Sequence, residues 1–306
     1  TKDGATYQFG IDYLRDVWFR TSYLLDTKQS LNGCAGKRFA NYKQQPLEYH
    51  IHPEFKGTFE SLGISPERRT KSGIRAAIIR EKGTNGEREM AYVLHLAGFD
   101  VKDVMMTDLI SGRETLDDIS MIVFCGGFSN SDVLGSAKGW AGAFLFNPKA
   151  KAALDRFYSR PDTLSLGVCN GCQLMVELGL INPEHTEKTR MLHNDSRKFE
   201  SKFLGLTVQT NRSVMFGSLS GDRLGIWVAQ GEGKFSLPLP EDSYNIVLKY
   251  SYDEYPGTPN GSDYYTAGIA SADGRHVAMM PHLERAFYPW QNPFYPEERR
   301  ADDVTP

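Results

Sequence analysis

From Gly73 onward, short apolar runs alternate with stretches of helical period, and this alternation constrains the fold more than any other feature. IRAAII (74–79) reads as a buried strand, REKGTNG (80–86) as a loop, and EREMAYVLHLAG (87–98) as a helix ending at Gly98. FDVKDVMM (99–106) reads as a second strand, and DISMIVFCGGF (118–128) as a third that breaks at a Gly-Gly pair. A helical stretch at 148–159 precedes TLSLGV (163–168), a fourth apolar run. Strands that alternate with helices predict a parallel sheet covered on its faces. Beyond about residue 200 the pattern turns to strands and glycine turns, as in FLGLTVQT, GIWVAQGEGKFSL, YNIVLKYSY and TAGIASADGRHVAMM. No internal repeat is visible.

Ahead of this region the pattern differs. Residues 8–28 carry Tyr13, Val17, Trp18, Leu24 and Leu25 at near-helical spacing, which predicts a helix. Between about 29 and 72 no period is sustained, so the segment reads as a linker or as chain draped over a neighbour. The organisation expected is a connector at 1–72, helix then irregular, followed by one domain at 73–306. The chain opens at Thr1 and enters patterned sequence at once, which leads us to expect a piece of something longer.

Composition excludes several function classes. A formal net charge of -3 offers no basic excess to neutralise phosphates, arguing against nucleic-acid and anionic-membrane partners. No apolar run approaches the length of a membrane span and no signal-peptide pattern occurs, so a cytoplasmic chain is expected. The four cysteines, Cys34, Cys125, Cys169 and Cys172, are too few and too unevenly spaced for a disulfide framework.

The stretch GVCNGCQ (167–173) holds two of them. A CxxC can be half of a zinc site, a redox dithiol, or a coincidence around one reactive thiol. Zinc needs a second ligand pair, and none occurs: His50 and His52 lie in the leader, and His185 and His193 are eight apart. A CxxC that opens a helix does fit a redox motif. Its surroundings favour a third reading, because TLSLGV is a strand, QLMVELG a helix, and G-V-C-N-G lies between them. That is a nucleophile elbow with sulfur at its tip. It would lift Cys169 to the C-terminal edge of the sheet, with the Asn170 N–H free beside it, and would leave Cys172 packing in the first helical turn.

A thiol nucleophile wants an imidazole and a group to orient that imidazole. In HVAMMPHLER, His282 and Glu284 follow an apolar strand, and residues two apart in extended chain point the same way. Taken alone, an H-x-E is more often a solvated loop. His276 competes, but no acid adjoins it in its alternating strand. FCGGFSNSD follows a strand end, where Gly126-Gly127 can turn N–H groups toward the thiol's target, although a Gly-Gly pair serves equally as a tight turn. Cys125 reads as a buried strand-end residue.

Together GVCNGCQLM, the CGGFS loop and MMPHLER resemble the class I (triad) glutamine amidotransferases. More narrowly, they resemble the C-terminal glutaminase domain of the large formylglycinamide ribonucleotide amidotransferases (phosphoribosylformylglycinamidine synthases) of purine biosynthesis. LRDVWFRTSY, REKGTNGEREMAYVLHLAGFD, DVLGSAKGWAGAFLFN, SRKFESKF, GEGKF, PNGS and the Trp-Gln-Asn of PWQNPFYP extend the similarity over 73 to the end plus the early LRDVWF. The resemblance implies a flavodoxin-like α/β core, a mostly parallel sheet covered by helices, with a β-rich C-terminal portion. It implies Cys169 as nucleophile, His282 as base and then acid, and Glu284 as its orienting carboxylate. Backbone groups at Gly127 or Phe128 and at Asn170 would form the oxyanion hole, and Gln173, Gly126, Asn194 and Phe199 are candidates for contacts to L-glutamine. No metal or cofactor is expected in this chain. ATP and magnesium would belong to a synthetase portion of the full enzyme, the partner that takes the ammonia.

Several positions depart from the family pattern. Gln230 stands where His is usual before Gly-Glu-Gly, Leu283 where Pro is usual, and Asn130-Ser131 where Tyr-Gly or Tyr-Ala is common; a further C-terminal helix would also be expected. Two other readings stay open on the residues alone: another cysteine hydrolase of this fold, and a redox module cycling Cys169 with Cys172.

Overall fold

The structure is a computed structural model, and it describes residue 4 and residues 6–306. In chain order the leader holds α1 (Ile11–Gln29) and α2 (Cys34–Ala40). The core follows as β1 (Arg75–Arg80), α3 (Glu87–Leu96), β2 (Asp100–Met105), α4 (Met106–Ser111), β3 (Met121–Phe124), α5 (Lys138–Leu145), α6 (Pro148–Ser159), β4 (Leu164–Val168) and α7 (Asn170–Glu177). The last third supplies β5 (Arg190–Leu192), β6 (Glu200–Val208), β7 (Arg223–Gln230), β8 (Lys234–Ser236), β9 (Asn245–Tyr250), β10 (Thr266–Ala270) and β11 (His276–Met279).

Nine of these strands form one sheet in the order β2-β1-β3-β4-β11-β10-β9-β6-β7, while β5 and β8 pair separately. The first five run parallel. Taking β11 as the fifth strand, their order is the 2-1-3-4-5 of flavodoxin-like sheets, as expected. Beyond β11 the pairing is antiparallel. The β-rich portion is therefore no appendage, since it continues the same sheet and hands its final strand back to the centre. The edge strand β7 also curls round, and Trp227 bridges to His282 just after β11.

The inner strands are apolar on both faces because helices cover both. Ala76 to Ile79 and Met121 to Phe124 are all buried. Trp140 and Phe144 of α5 meet Phe124 edge to face at 5.7 and 6.1 Å. Side chains of this size contribute roughly 1.5–3 kcal/mol each when fully buried. Asn147 starts α6 by accepting the N–H groups of Lys149 and Ala150, with Pro148 at the first helical position.

Three helices escaped the sequence reading. Helices α2 and α4 are too short to show a period, and two glycines mask α5, whose Trp140 and Phe144 are its only large anchors. The leader is draped over the core. Leu31 N–H donates to the Ser196 carbonyl at 3.1 Å, His50 and Arg223 exchange backbone bonds, and Arg68 pairs with Asp100 at 3.1 Å. The Gly57 carbonyl accepts the Asp303 N–H at 2.7 Å, tying the leader to the C-terminal segment as well. Among the described residues no helix is long and apolar enough to cross a membrane.

Candidate active site

Parallel strands place their ligands beyond their C-terminal ends. Three adjacent strands, β3, β4 and β11, deliver the Gly126-Gly127 turn, Cys169 and His282 to one such edge. Cys169 has φ 53° and ψ -106°, the strained backbone of a nucleophile elbow. Its flanking glycines are sterically required. A Cβ on Gly171 would lie 2.0 Å from the Phe124 carbonyl oxygen, and one on Gly167 would lie 2.5 Å from the Gly171 carbonyl oxygen.

The imidazole of His282 and Cys169 converge over Gly126. A Cβ there would stand 2.9 Å from His282 Cε1 and 3.4 Å from Cys169 Cβ. His282 Nδ1 lies 2.6 Å from Glu284 Oε1, and both residues are buried. The other ring nitrogen, Nε2, has no hydrogen-bond partner among the described residues, and the Cys169 thiol donates to the Ala229 carbonyl at 3.4 Å. Burial disfavours the imidazolium, but the Glu284 carboxylate and the nearby Cys169 sulfur outweigh it and raise the His282 pKa above 6.5.

Beside the thiol lies a cavity of about 190 Å³, lined in part by Gly127, Cys169, Gln173, Phe199, Gln230 and Glu232. The amide of Asn170 opens α7, where no preceding turn supplies an acceptor. The Gly127 N–H has no hydrogen-bond acceptor among the described residues. Phe128 is different: its N–H donates to the Gly83 carbonyl at 2.8 Å, so of the two amides expected at this turn only that of Gly127 is available. Its ring packs against Phe199 with centroids 5.9 Å apart.

The other expected contacts divide. Phe199 is half exposed and lines the cavity. Gln173 reaches the cavity, but its Nε2 donates to the Glu232 carbonyl at 2.8 Å and its Oε1 accepts from Asn170 Nδ2 at 3.0 Å. Asn170 Oδ1 in turn accepts the Ser129 N–H, so this chain of amides ties the Gly127 turn, α7 and the Glu232 loop together. Asn194 is fully buried and spends its side chain on Lys198, Gln230 and Gly233 backbone groups, away from the cavity. Gly126 floors the His282 ring rather than the cavity. Gln230 donates to the Tyr250 hydroxyl at 3.2 Å.

Sequence reasoning missed Asp132, Ser136 and His193, which also line the cavity. Burial and the neighbouring Glu232 raise the Asp132 carboxyl above its usual range. For Asp132 and Ser136 the signal available was positional, since DVLGSAKGW follows a few residues after the Gly-Gly turn; His193 adjoins Asn194 in the sequence. Asn130, Ser131 and Asp132 carry positive φ in succession, a strained run for residues with side chains, and Asp132 lines the cavity beside the thiol. Cys172 is fully buried, its thiol raised well above 9.0 by burial first and then by Cys169, and all four cysteines are free.

A family model described as the CobB/CobQ-like glutamine amidotransferase domain matches residues 73–306. A probable phosphoribosylformylglycinamidine synthase, chloroplastic/mitochondrial, of Arabidopsis thaliana is 40% identical over 324 aligned residues, covering 99% of this chain and 23% of that protein. The phosphoribosylformylglycinamidine synthase of Homo sapiens is 40% identical over 91% of this chain and 22% of its own length. The chain thus spans under a quarter of these relatives. Among solved structures, that of PurLQS from Thermotoga maritima aligns with a TM-score of 0.56 and 30% identity, over 70% of this chain and 89% of that one.

Proposed function

The chain belongs to the CobB/CobQ-like glutamine amidotransferase domain family, and from that membership we propose that it hydrolyses L-glutamine through Cys169, His282 and Glu284. The observation that carries this reading is the buried imidazole, bonded through Nδ1 to Glu284 and set beside an elbow cysteine over Gly126.

In this mechanism His282 Nε2 takes the Cys169 proton and the sulfur attacks the side-chain amide carbon of glutamine. The oxyanion is met by the free amides of Gly127 and Asn170. The imidazolium gives its proton to the departing nitrogen, ammonia leaves, and a water deprotonated by His282 cleaves the glutamyl thioester to glutamate. Glu284, bonded to Nδ1, holds the ring in register. Acidic Asp132 and Glu232 and basic Arg197 and Lys198 share the cavity, a mixture suited to a zwitterionic amino acid.

The similarity to phosphoribosylformylglycinamidine synthases supports a fuller assignment. Ammonia would pass to a synthetase portion that uses ATP and magnesium to convert formylglycinamide ribonucleotide to the amidine in purine biosynthesis. Residues 73–306 would be the glutaminase domain, and 1–72 the connector to that portion. Glutamate release by wild type and Cys169→Ala, alone and with the synthetase portion of a relative, tests the reading. Slow hydrolysis that rises with the partner and vanishes in the variant is expected; equal release by both chains would refute it.

A further inference from the structure

Helix α1 is built the wrong way round for a helix lying on a protein surface. Ile11, Val17 and Trp18 are exposed, and the one residue it buries is Asp26, a carboxylate. Asp26 accepts hydrogen bonds from Lys198 Nζ at 2.7 Å, Arg38 at 2.6 Å and Ser30 Oγ at 2.5 Å. Arg38, from α2, also reaches Glu200 at 3.2 Å, and Glu200 is further held by Ser196, Tyr255 and Lys202. Burial opposes charge on Asp26, yet the bonds from Lys198 and Ser30 and the field of Arg38 hold its carboxyl below the usual range.

Both ends of this ion network clamp the same short segment. Lys198 and Glu200 flank Phe199, and Arg197 before them sits at φ 57°, a strained conformation that persists only when its surroundings impose it. Arg197, Lys198 and Phe199 are one wall of the Cys169 cavity, and Lys198 also lines the cavity of about 380 Å³ between α1 and α2. The leader therefore reaches the candidate substrate pocket through side chains whose positions are 172 residues apart.

We propose that Asp26 is a positioning residue for the substrate pocket: from the leader it fixes, through Lys198 and the Arg38–Glu200 pair, the wall that carries Arg197 and Phe199. This rests on the glutaminase reading of the pocket. Without the carboxylate, Arg38 keeps only Glu200 and Lys198 loses its salt-bridge partner, leaving two like charges unscreened by Asp26, and the strained wall relaxes. Cys169, His282 and Glu284 stand just beyond the ends of β4 and β11, and among the described residues no hydrogen bond or salt bridge joins them to the network. Its loss weakens substrate binding and leaves the chemical step intact.

The test uses the whole chain and 6-diazo-5-oxonorleucine, a glutamine analogue that alkylates the nucleophile, whose binding constant KI and inactivation rate kinact separate pocket from chemistry. Asp26→Asn should raise KI about tenfold and leave kinact within about twofold. Lys198→Met breaks the same contact from a half-exposed position and should raise KI likewise, with the double variant no worse than Lys198→Met alone. Asp12→Asn, on the same helix as Asp26, removes an exposed ion pair to Lys43 and should change nothing. A folded Asp26→Asn with wild-type KI, a fall confined to kinact, or an equal effect of Asp12→Asn overturns the proposal. A wild-type chain left unlabelled at Cys169 refutes instead the glutaminase reading beneath it.

Discussion

His282 Nδ1 and Glu284 Oε1 stand 2.6 Å apart, and both side chains are almost wholly closed to water. An i, i+2 pair just after β11 thus occupies Nδ1 and leaves Nε2 as the ring nitrogen free for the proposed chemistry. The short helical turn at Leu283–Arg285 brings the carboxylate round, without the proline usual at 283.

Replacing Glu284 by Gln keeps the shape and removes the charge. The ring loses its fixed tautomer and the imidazolium loses its counter-ion. Glutamine hydrolysis should fall between about a hundredfold and ten thousandfold in kcat, with KM little changed. Steady-state glutamate release measures it; an unaltered kcat would remove Glu284 from the mechanism.

The same pair makes stability depend on pH. The folded pKa of His282 is raised above its unfolded 6.5, so the stabilisation is complete below 6.5 and is lost as pH climbs through the folded value. The denaturation midpoint of wild type should exceed that of His282→Asn by most near pH 6, and the gap should narrow in alkali. A gap that widens with pH would contradict the pairing.

His276 behaves oppositely. Buried with Nδ1 2.9 Å from Ser165 Oγ, it is pushed down to about 4 by burial and by Arg275. Its contribution is present above 6.5 and is lost as pH falls toward 4. Urea midpoints between pH 7 and 4 should fall less steeply for His276→Gln than for wild type; parallel curves would refute the assignment.

Much of the site was legible in the sequence, for local reasons. G-x-C-x-G between an apolar run and a helical one specifies the elbow, since Gly167 is demanded by a contact to Gly171 within the same β-turn-α unit, although Gly171 answers to Phe124 of the neighbouring β3. His282 and Glu284 were readable because they are neighbours. Long-range pairings were not readable. Nothing local says that the Phe128 amide is taken by Gly83, or that Asn194 turns to Gln230 and Gly233. Nor does it say that Asp26 meets Lys198. The sheet followed the same rule: β1 to β4 could be read strand by strand, but the insertion of β11 beside β4 and the continuation through β10, β9, β6 and β7 depend on distant partners.

Gly171→Ala tests the elbow itself. The added methyl would collide with the Phe124 backbone, which cannot give way without moving β3. Stability should fall by about 3 kcal/mol or more, read from chemical denaturation. A change under about 1 kcal/mol would mean that the turn has another shape.

The most direct test of the central claim is peptide mapping after treatment with 6-diazo-5-oxonorleucine. A single adduct on Cys169 is expected, absent in Cys169→Ala and retained in Cys172→Ala. An adduct on Cys172 or Cys34, or labelling that survives Cys169→Ala, would contradict it.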